Sequence, residues 1–175
     1  MRTLVIYTSQ TGFTKQYAQW LAKEVGADVE DLENVRKKTM TYFDQFDQIV
    51  YGGWVSCGKV AKADQFFKMA KQWKDKKMAL FLVGATPGDS PYVDKELSNA
   101  VPQDQKDHIK AFYLPGGIRY EKLNFTGRMI MKAYAGSLKK SKNEETKKMG
   151  EIISESFDIS DRENLKPLIE YLGRS

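Results

Sequence analysis

Residues 8–14 read TSQTGFT and join an apolar run to a segment with helical spacing. The run before them, LVIY at 4–7, is typical of a buried strand, and apolar residues over 17–25 recur every three or four positions. We therefore predict a strand over 3–8 and a helix over 13–25, with the turn between them. This turn carries four hydroxyls around one glycine, whereas an ordinary helix cap uses a single hydroxyl.

We interpret the turn as a binding site for the phosphate of a monoester. Its backbone N–H groups and the hydroxyls of Ser9, Thr11 and Thr14 would converge at the positive N-terminus of the helix. A Walker A loop needs a second glycine followed by Lys and Ser or Thr, and a Rossmann turn needs three spaced glycines; the turn has neither pattern. The alternative is a helix cap that is merely rich in Ser and Thr. The predicted phosphate-binding residues are Ser9, Gln10, Thr11, Gly12, Phe13 and Thr14.

Short apolar runs alternate with amphipathic segments along the rest of the chain. Runs such as ALFLV at 79–83 are apolar on both faces, as a parallel sheet covered by helices on both sides requires. Further strands are predicted over 27–32, 48–53, 78–84 and 109–114, and further helices over 40–46, 61–73, 92–101 and 165–172. The pattern predicts an α/β fold with a doubly wound parallel sheet.

Length and cysteine content indicate how the chain is organised. The 175 residues fit one domain, 1–175, with a basic insertion over 119–160 between the fifth strand and the last helix. Cys57 is the single cysteine, and the sequence opens without a leader pattern, so we expect a reducing, cytoplasmic location. No apolar run approaches the ~20 residues of a membrane-spanning helix. No cluster of Cys and His suggests a metal site.

The insertion is the basic part of the chain. Residues 119–150 contain nine Lys or Arg and three Glu, whereas the whole chain carries a net charge of only +5. One basic segment on a nearly neutral body favours a local anionic partner over nucleic acid. Apolar residues over 123–138 follow helical spacing, and we expect looser structure through KKSKNEETKK at 139–148.

The stretch SQTGFT at 9–14 resembles the FMN phosphate loop of the flavodoxin family, whose motif is Ser/Thr-x-Thr-Gly-x-Thr. Ser9, Thr11, Gly12 and Thr14 match that motif position by position. The resemblance implies a flavodoxin-like, five-stranded doubly wound parallel sheet in the order 2-1-3-4-5, with FMN as cofactor. Flavodoxin is a known instance of the rule that open α/β sheets bind ligands where the strand order reverses.

The same resemblance places the isoalloxazine ring of FMN against the loops after the third and fourth strands. Trp54 would offer a stacking face, and GDSPY at 88–92 resembles the family's Gly-Asp-Ser-x-Tyr segment, which implies roles for Asp89 and Tyr92. Trp54 could instead be a core or surface aromatic, Tyr92 could simply begin a helix, and Cys57 is expected to line the flavin rather than to react. The predicted ring-binding residues are Gly53, Trp54, Val55, Ser56, Cys57 and Gly58, then Gly84, Ala85, Thr86, Pro87, Gly88, Asp89 and Tyr92.

The stretch GGIRYEKLNFTGRMIMKAY at 116–134 resembles the flavodoxin-fold branch that includes the menaquinone-dependent protoporphyrinogen IX dehydrogenases. The pair Arg119 and Tyr120 and the spacing of Arg128 and Lys132 carry that resemblance, and the implied substrate or partner residues are Arg119, Arg128 and Lys132. It implies hydride or electron transfer from a propionate-bearing tetrapyrrole through FMN to a quinone, with peripheral contact on the inner face of the membrane. The alternatives are an electron carrier that serves a redox partner protein and a binding module without redox activity.

Overall fold

The computed structural model describes residues 1–56 and 58–173. The strands are β1 (Thr3–Tyr7), β2 (Asp28–Asp31), β3 (Gln48–Ser56), β4 (Lys59–Val60), β5 (Lys77–Gly84), β6 (Ile109–Pro115), β7 (Gly117–Ile118) and β8 (Phe157–Asp158). The α-helices are α1 (Phe13–Val25), α2 (Leu32–Val35), α3 (Ala63–Ala70), α4 (Pro91–Ala100), α5 (Phe125–Lys139), α6 (Glu144–Ile152) and α7 (Lys166–Tyr171). Shorter 3-10 helices lie at Met40–Gln45, Gln103–Gln105, Tyr120–Lys122 and Arg162–Leu165.

Five parallel strands form the central sheet in the order β2-β1-β3-β5-β6. This is the predicted order 2-1-3-4-5, because the short strand β4 pairs antiparallel with the end of β3 and is not one of the five. The predicted fold class is therefore confirmed. Strand order reverses between β1 and β3, and their carboxyl ends open a crevice there.

Helices on both sides of the sheet bury its two faces. Leu4 and Ile6 face the cluster that contains residues of α2 and α3, whereas Val5 faces residues of α1 and α7. All three side chains are fully buried. Because neighbours along a strand point to opposite faces, this alternation within one apolar run is what a sheet covered on both sides requires.

The third strand of the central sheet is longer than predicted. It continues past residue 53 to Ser56, and Val55 pairs with Val60 of β4. The prediction of a loop from Trp54 to Ser56 was therefore wrong. The physical reason is that β4 returns alongside the end of β3, where Val60 pairs with Val55 and Lys59 pairs with Ser56.

The segment 139–148, which we expected to be loose, is mostly helical. Helix α5 continues to Lys139, and α6 begins at Glu144. The Asn143 side chain caps α6 by accepting a hydrogen bond from the Thr146 N–H at 3.0 Å. Acidic residues in the first turn of α6 interact favourably with the helix dipole. The expectation was wrong because it rested on the high charge density of the segment and overlooked the helix cap at Asn143.

The segment 119–160 builds a small core of its own. Strands β7 and β8 pair antiparallel, and α5 packs on α6 around the buried side chains of Ile118, Ala135 and Ile153. Gly150 permits the close approach of the two helices, since a Cβ there would lie 2.9 Å from the carbonyl oxygen of Ala135. Among the helices of the described residues, none is long and apolar enough to cross a membrane.

Candidate functional site

The predicted phosphate loop lies at the carboxyl end of β1, where the chain turns into α1. Gly12 precedes the helix with φ 100° and ψ −15°. The Thr8 N–H donates to the Gly52 carbonyl at 2.9 Å, which joins the start of the loop to β3. The first N–H groups of α1 have no partner within the helix, and no side chain in the described residues caps them. Free N–H groups at the positive end of a helix dipole are suited to bind an anion.

The hydroxyls of this loop have different surroundings. The Ser9 hydroxyl accepts a 3.2 Å hydrogen bond from the Gly12 N–H and so closes the turn on itself. Thr14 is buried in the first turn of α1, and Thr11 is half-buried. Ser9 therefore shapes the loop, while the N-terminal turn of the helix carries the donors that remain for a ligand.

A cation from the start of the insertion lies against the phosphate loop. The Arg119 guanidinium carbon lies 3.9 Å from the centroid of the Phe13 ring, and Nη1 donates to the Thr11 carbonyl at 3.3 Å. Nη2 donates to the Asp158 carboxylate at 3.0 Å and to the side-chain oxygen of Gln16 at 3.1 Å. Residues 8–14 contain no Lys or Arg, and Arg119 brings a positive charge against the loop from 108 residues further along the chain.

Gly12 leaves room for the Arg119 guanidinium beside the phosphate loop, and Asp158 holds the guanidinium in place through an ion pair. A side chain at Gly12 would be strained at φ 100°, and its Cβ would lie 3.0 Å from Nη1 of Arg119. Burial tends to raise the pKa of Asp158, but hydrogen bonds from Ser160 and from Arg119 outweigh burial and lower it. The carboxylate is therefore ionised at neutral pH and remains paired with the guanidinium.

The second predicted loop is the hairpin of β3 and β4. Gly53 lies inside β3, where a Cβ would come within 2.7 Å of Val60 Cγ1. Cys57, which we predicted to line the flavin, lies outside the described residues. Along the hairpin, Trp54 and Val55 are half-buried, whereas Ser56 and Gly58 are exposed. Part of the Trp54 indole thus remains exposed at this edge of the sheet.

Tyr113 of β6 holds the third predicted loop, which follows β5. Its hydroxyl donates to the Thr86 carbonyl at 2.8 Å and accepts from the Thr86 N–H at 3.1 Å. A Cβ on Gly84 would lie 2.3 Å from this hydroxyl oxygen, so only glycine leaves room for the phenol. Burial raises the pKa of Tyr113 to about 12, and the Glu96 carboxylate adds to the rise. The hydroxyl therefore stays protonated at neutral pH and keeps both bonds.

The rest of the β5 loop is open to solvent. Its exposed residues are Pro87, Gly88 and Asp89. Ser90 begins α4, and its hydroxyl accepts a 3.4 Å hydrogen bond from the Tyr92 N–H. The Tyr92 side chain is 59% exposed in the first turn of that helix. Tyr92 therefore begins a helix and also remains accessible, so the two interpretations of this residue are compatible.

The insertion borders the same edge of the sheet as the loops. A Cβ on Gly127, near the start of α5, would lie 3.8 Å from the side-chain nitrogen of Gln10 in the phosphate loop. Ala85 of the β5 loop packs against the small core of the insertion. Arg128 and Lys132 are both exposed on α5. The insertion therefore touches two of the three predicted loops and presents these cations to solvent.

Sequence reasoning missed the side chains that brace the site. Tyr113 acts on a loop 27 residues before it, and Asp158 pairs with a residue 39 positions before it. Gln16 lies on α1 but contacts the insertion. No local motif signals these roles, because each depends on a contact between segments that are distant in sequence.

A groove of about 620 Å³ lies elsewhere, along the outer edge of β6 between α4 and α7. Lys110 lies in this groove, with its ammonium 5.7 Å from the Phe112 ring centroid and 5.4 Å from that of Tyr171. A lysine on an edge strand opposes pairing with a further strand. The groove lies on the outer edge of the sheet rather than at the switch point between β1 and β3.

A parallel α/β sheet with loops gathered at the switch point between β1 and β3 defines a protein of the flavodoxin fold. The family model for the flavodoxin domain matches residues 4–164, and the chain belongs to this family. FMN, which the sequence predicts, is the cofactor that flavodoxins bind at this switch point. The uncapped α1 N-terminus fits its phosphate.

Comparisons with individual proteins give more distant similarities. The chain is 26% identical over 145 residues to protoporphyrinogen IX dehydrogenase [quinone] of Escherichia coli strain K12, covering 75% of this chain and 77% of that protein. A flavoprotein from Lactobacillus acidophilus in complex with FMN has 17% identity and a TM-score of 0.45, covering 65% of this chain and 91% of that one. A flavoprotein from Bacteroides eggerthii has 16% identity and a TM-score of 0.48, covering 64% and 85%. The family assignment rests on the flavodoxin domain match.

Proposed function

We propose that this chain is an FMN-dependent redox protein of the flavodoxin family. The observation that carries the proposal is that the uncapped α1 N-terminus, the β3–β4 hairpin and the β5 loop all follow strands of one parallel sheet beside its switch point. If the FMN phosphate bound at the α1 N-terminus and the isoalloxazine ring lay between the β3–β4 hairpin and the β5 loop, all three sets of predicted residues would have a role. When bound, FMN supplies the electron-transfer chemistry, and the protein holds and orients it.

Each part of this edge has a role in the proposal. The N–H groups of 13–15 and the Thr11 and Thr14 hydroxyls would bind phosphate oxygens, because they lie at the positive end of α1. Trp54 and Tyr92 retain exposed aromatic surface and would flank the ring. Tyr113 fixes the backbone of the β5 loop, so the loop would meet the ring in one conformation.

A narrower function is favoured by the outer surface of α5. We call this surface the α5 outer face. Its exposed apolar side chains are Phe125, Met129, Ile130 and Tyr134, between 54% and 78% exposed. The cations Arg128 and Lys132 lie on the same helix, which has no acidic residue. Apolar surface beside cations suits a planar molecule that carries carboxylates.

We therefore propose, as a second candidate, a quinone-dependent dehydrogenase that acts on a protoporphyrinogen-like tetrapyrrole. The Escherichia coli relative is named for this substrate and for quinone. Arg128 and Lys132 would pair with the propionates of the substrate, and Phe125 and Met129, which lie on the same side of α5 by helical spacing, would contact its macrocycle. A redox partner protein that docks on the same face is the alternative.

The α5 outer face also suits peripheral contact with an anionic membrane. Its apolar side chains could enter the headgroup region while Arg128 and Lys132 pair with lipid phosphates. We propose that the protein works on the cytoplasmic side, at the inner face of the membrane, where a quinone would be within reach.

Flavin binding is tested with the purified protein and with added FMN. We expect the absorption bands of an oxidised flavin, or quenching of FMN fluorescence during titration. Thr11→Val should weaken FMN binding by about 1–3 kcal/mol, because it removes a hydrogen bond to a charged group. Thr41→Val, at an exposed position away from this loop, is the matched control. A colourless protein that leaves FMN fluorescence unchanged would instead support a binding module without flavin.

The role of the α5 outer face is tested by removing its charge in two places. Arg128→Gln with Lys132→Gln should leave FMN affinity unchanged but slow the oxidation of protoporphyrinogen with a menaquinone analogue. Lys139→Gln with Lys140→Gln removes the same charge roughly 14 Å further along the helix axis and is the control. Sedimentation with anionic vesicles distinguishes substrate binding from membrane contact. A double variant that loses vesicle binding but keeps its turnover would indicate that the face contacts the membrane. Equal turnover in both double variants would exclude the face from substrate binding.

A further inference from the structure

We propose that Arg119, held by Asp158, is the phosphate-selective positioning residue of the FMN site. It would make the affinity for flavin depend on the phosphate group and on the intact insertion. The inference rests on the proposed FMN function and adds a residue that lies outside the phosphate-loop motif. Arg119 begins the insertion, and the resemblance implied that it contacts substrate or a partner.

The contacts of Arg119 place its charge at the loop rather than in solvent. Its side chain is 25% exposed, and the guanidinium carbon lies 3.9 Å from the centroid of the Phe13 ring. Nη1 donates to the Thr11 carbonyl at 3.3 Å. This carbonyl belongs to the turn that precedes α1, so the guanidinium braces the turn while it adds positive charge beside the anion site.

The second half of the guanidinium is anchored from two other segments. Nη2 donates to Asp158 on β8 and to Gln16 on α1. Asp158 in turn accepts hydrogen bonds from the N–H and the hydroxyl of Ser160, and the Gln16 side-chain nitrogen donates to that hydroxyl at 3.0 Å. These bonds fix the direction of the guanidinium, and the single long contact of Nη1 leaves that nitrogen with an N–H available for a phosphate oxygen.

The loop itself explains why an outside cation is useful. It holds its anion with backbone N–H groups and hydroxyls and has no Lys or Arg between residues 8 and 14. A cation beside such a loop stabilises a dianion more than it stabilises a neutral alcohol. Arg119 should therefore favour FMN over riboflavin, which has the same ring but no phosphate. A brace that acted only through the shape of the turn would weaken FMN to the same extent at low and at high salt.

The test compares the two flavins in wild-type protein and in charge variants. Dissociation constants are measured by fluorescence quenching at low and at high salt. Arg119→Gln should weaken FMN about tenfold to a hundredfold, the range of one charge-assisted hydrogen bond, and should weaken riboflavin less than about threefold. The FMN effect should shrink at high salt, because salt screens partly exposed charges. Lys122→Gln removes an exposed cation from the same segment and should change neither constant.

Arg119→Lys keeps the test informative if the glutamine variant does not fold. Lysine retains the charge but cannot bridge Asp158 and the turn at once, so the preference for FMN should remain while both flavins lose some affinity. Equal losses for FMN and riboflavin in Arg119→Gln, no loss of FMN in that variant, or loss of the preference for FMN in Arg119→Lys would overturn the inference while leaving FMN binding established. Wild-type protein that binds neither flavin would overturn the proposed function, and the inference with it.

Discussion

Replacing Tyr113 by Phe removes one oxygen atom and keeps the ring, so the variant isolates the two hydrogen bonds that hold the β5 loop. Both bonds join the Tyr113 hydroxyl to the backbone of Thr86, at 2.8 Å and 3.1 Å. A typical intramolecular hydrogen bond contributes about 0.5–1.5 kcal/mol, so the pair contributes roughly 1–3 kcal/mol. Thr86 is half-buried and water can reach it in the variant, so we expect a loss of about 1–2 kcal/mol.

Urea unfolding followed by tryptophan fluorescence measures this loss, with an unchanged dependence on urea concentration. FMN should bind more weakly to the variant, because the freed loop must be ordered again when the ring binds. Tyr134→Phe is the matched control, since that side chain is 54% exposed. A loss below about 0.5 kcal/mol together with unchanged FMN affinity would refute the argument that Tyr113 shapes the loop, because exposed substitutions produce changes of that size.

Three further predictions follow from the same geometry. Gly12→Ala should cost about 1–2 kcal/mol of stability, because its φ is 100°, whereas Gly136→Ala on α5 has free space and should be neutral or stabilising; thermal unfolding compares them. The free energy of unfolding should fall as pH rises from about 10 towards about 12, because burial raises the pKa of Tyr113 in the folded state; Tyr113→Phe should flatten that fall in urea titrations. The lowered pKa of Asp158 adds stability that is present above about pH 4 and is lost as pH falls further, so Asp158→Asn should be less sensitive to acid. If Tyr113→Phe kept the wild-type pH profile above pH 10, or Asp158→Asn kept it below pH 4, the pKa shift assigned to that residue would be contradicted.

The alternation of apolar runs was enough to predict a parallel sheet covered by helices, whereas its strand order was implied by the resemblance of residues 9–14 to the flavodoxin family. Strands over 3–8 and 78–84 are apolar on both faces, and this pattern fits a sheet that is covered by helices on both sides. The end of the third strand was not predictable in the same way. The strand β3 extends to Ser56 because β4 returns to pair with Val55 and Ser56, and no apolar run in the sequence signals that pairing.

The helix α6, which follows Lys139, was also not predicted from the sequence, but for a different reason. Asn143 and the acidic residues that follow it form an ordinary helix start, so the signal was present in the sequence. Charge density alone suggested a loose segment. Packing of α6 on α5 through Gly150 then stabilises a helix whose sequence is only weakly apolar.

The sequence by itself determined the five strands of the central sheet, the start of α1 and a turn suited to bind an anion, because apolar period, glycine and hydroxyl placement act over a few residues. Only the tertiary structure decided that Arg119 meets this turn from 108 residues away and that Tyr113 meets Thr86 from 27 residues away. Such contacts depend on strand order and on how the insertion packs, and neither is written in any short stretch of the chain. TSQTGFT thus specifies the kind of ligand, and the fold supplies the cation that would select it.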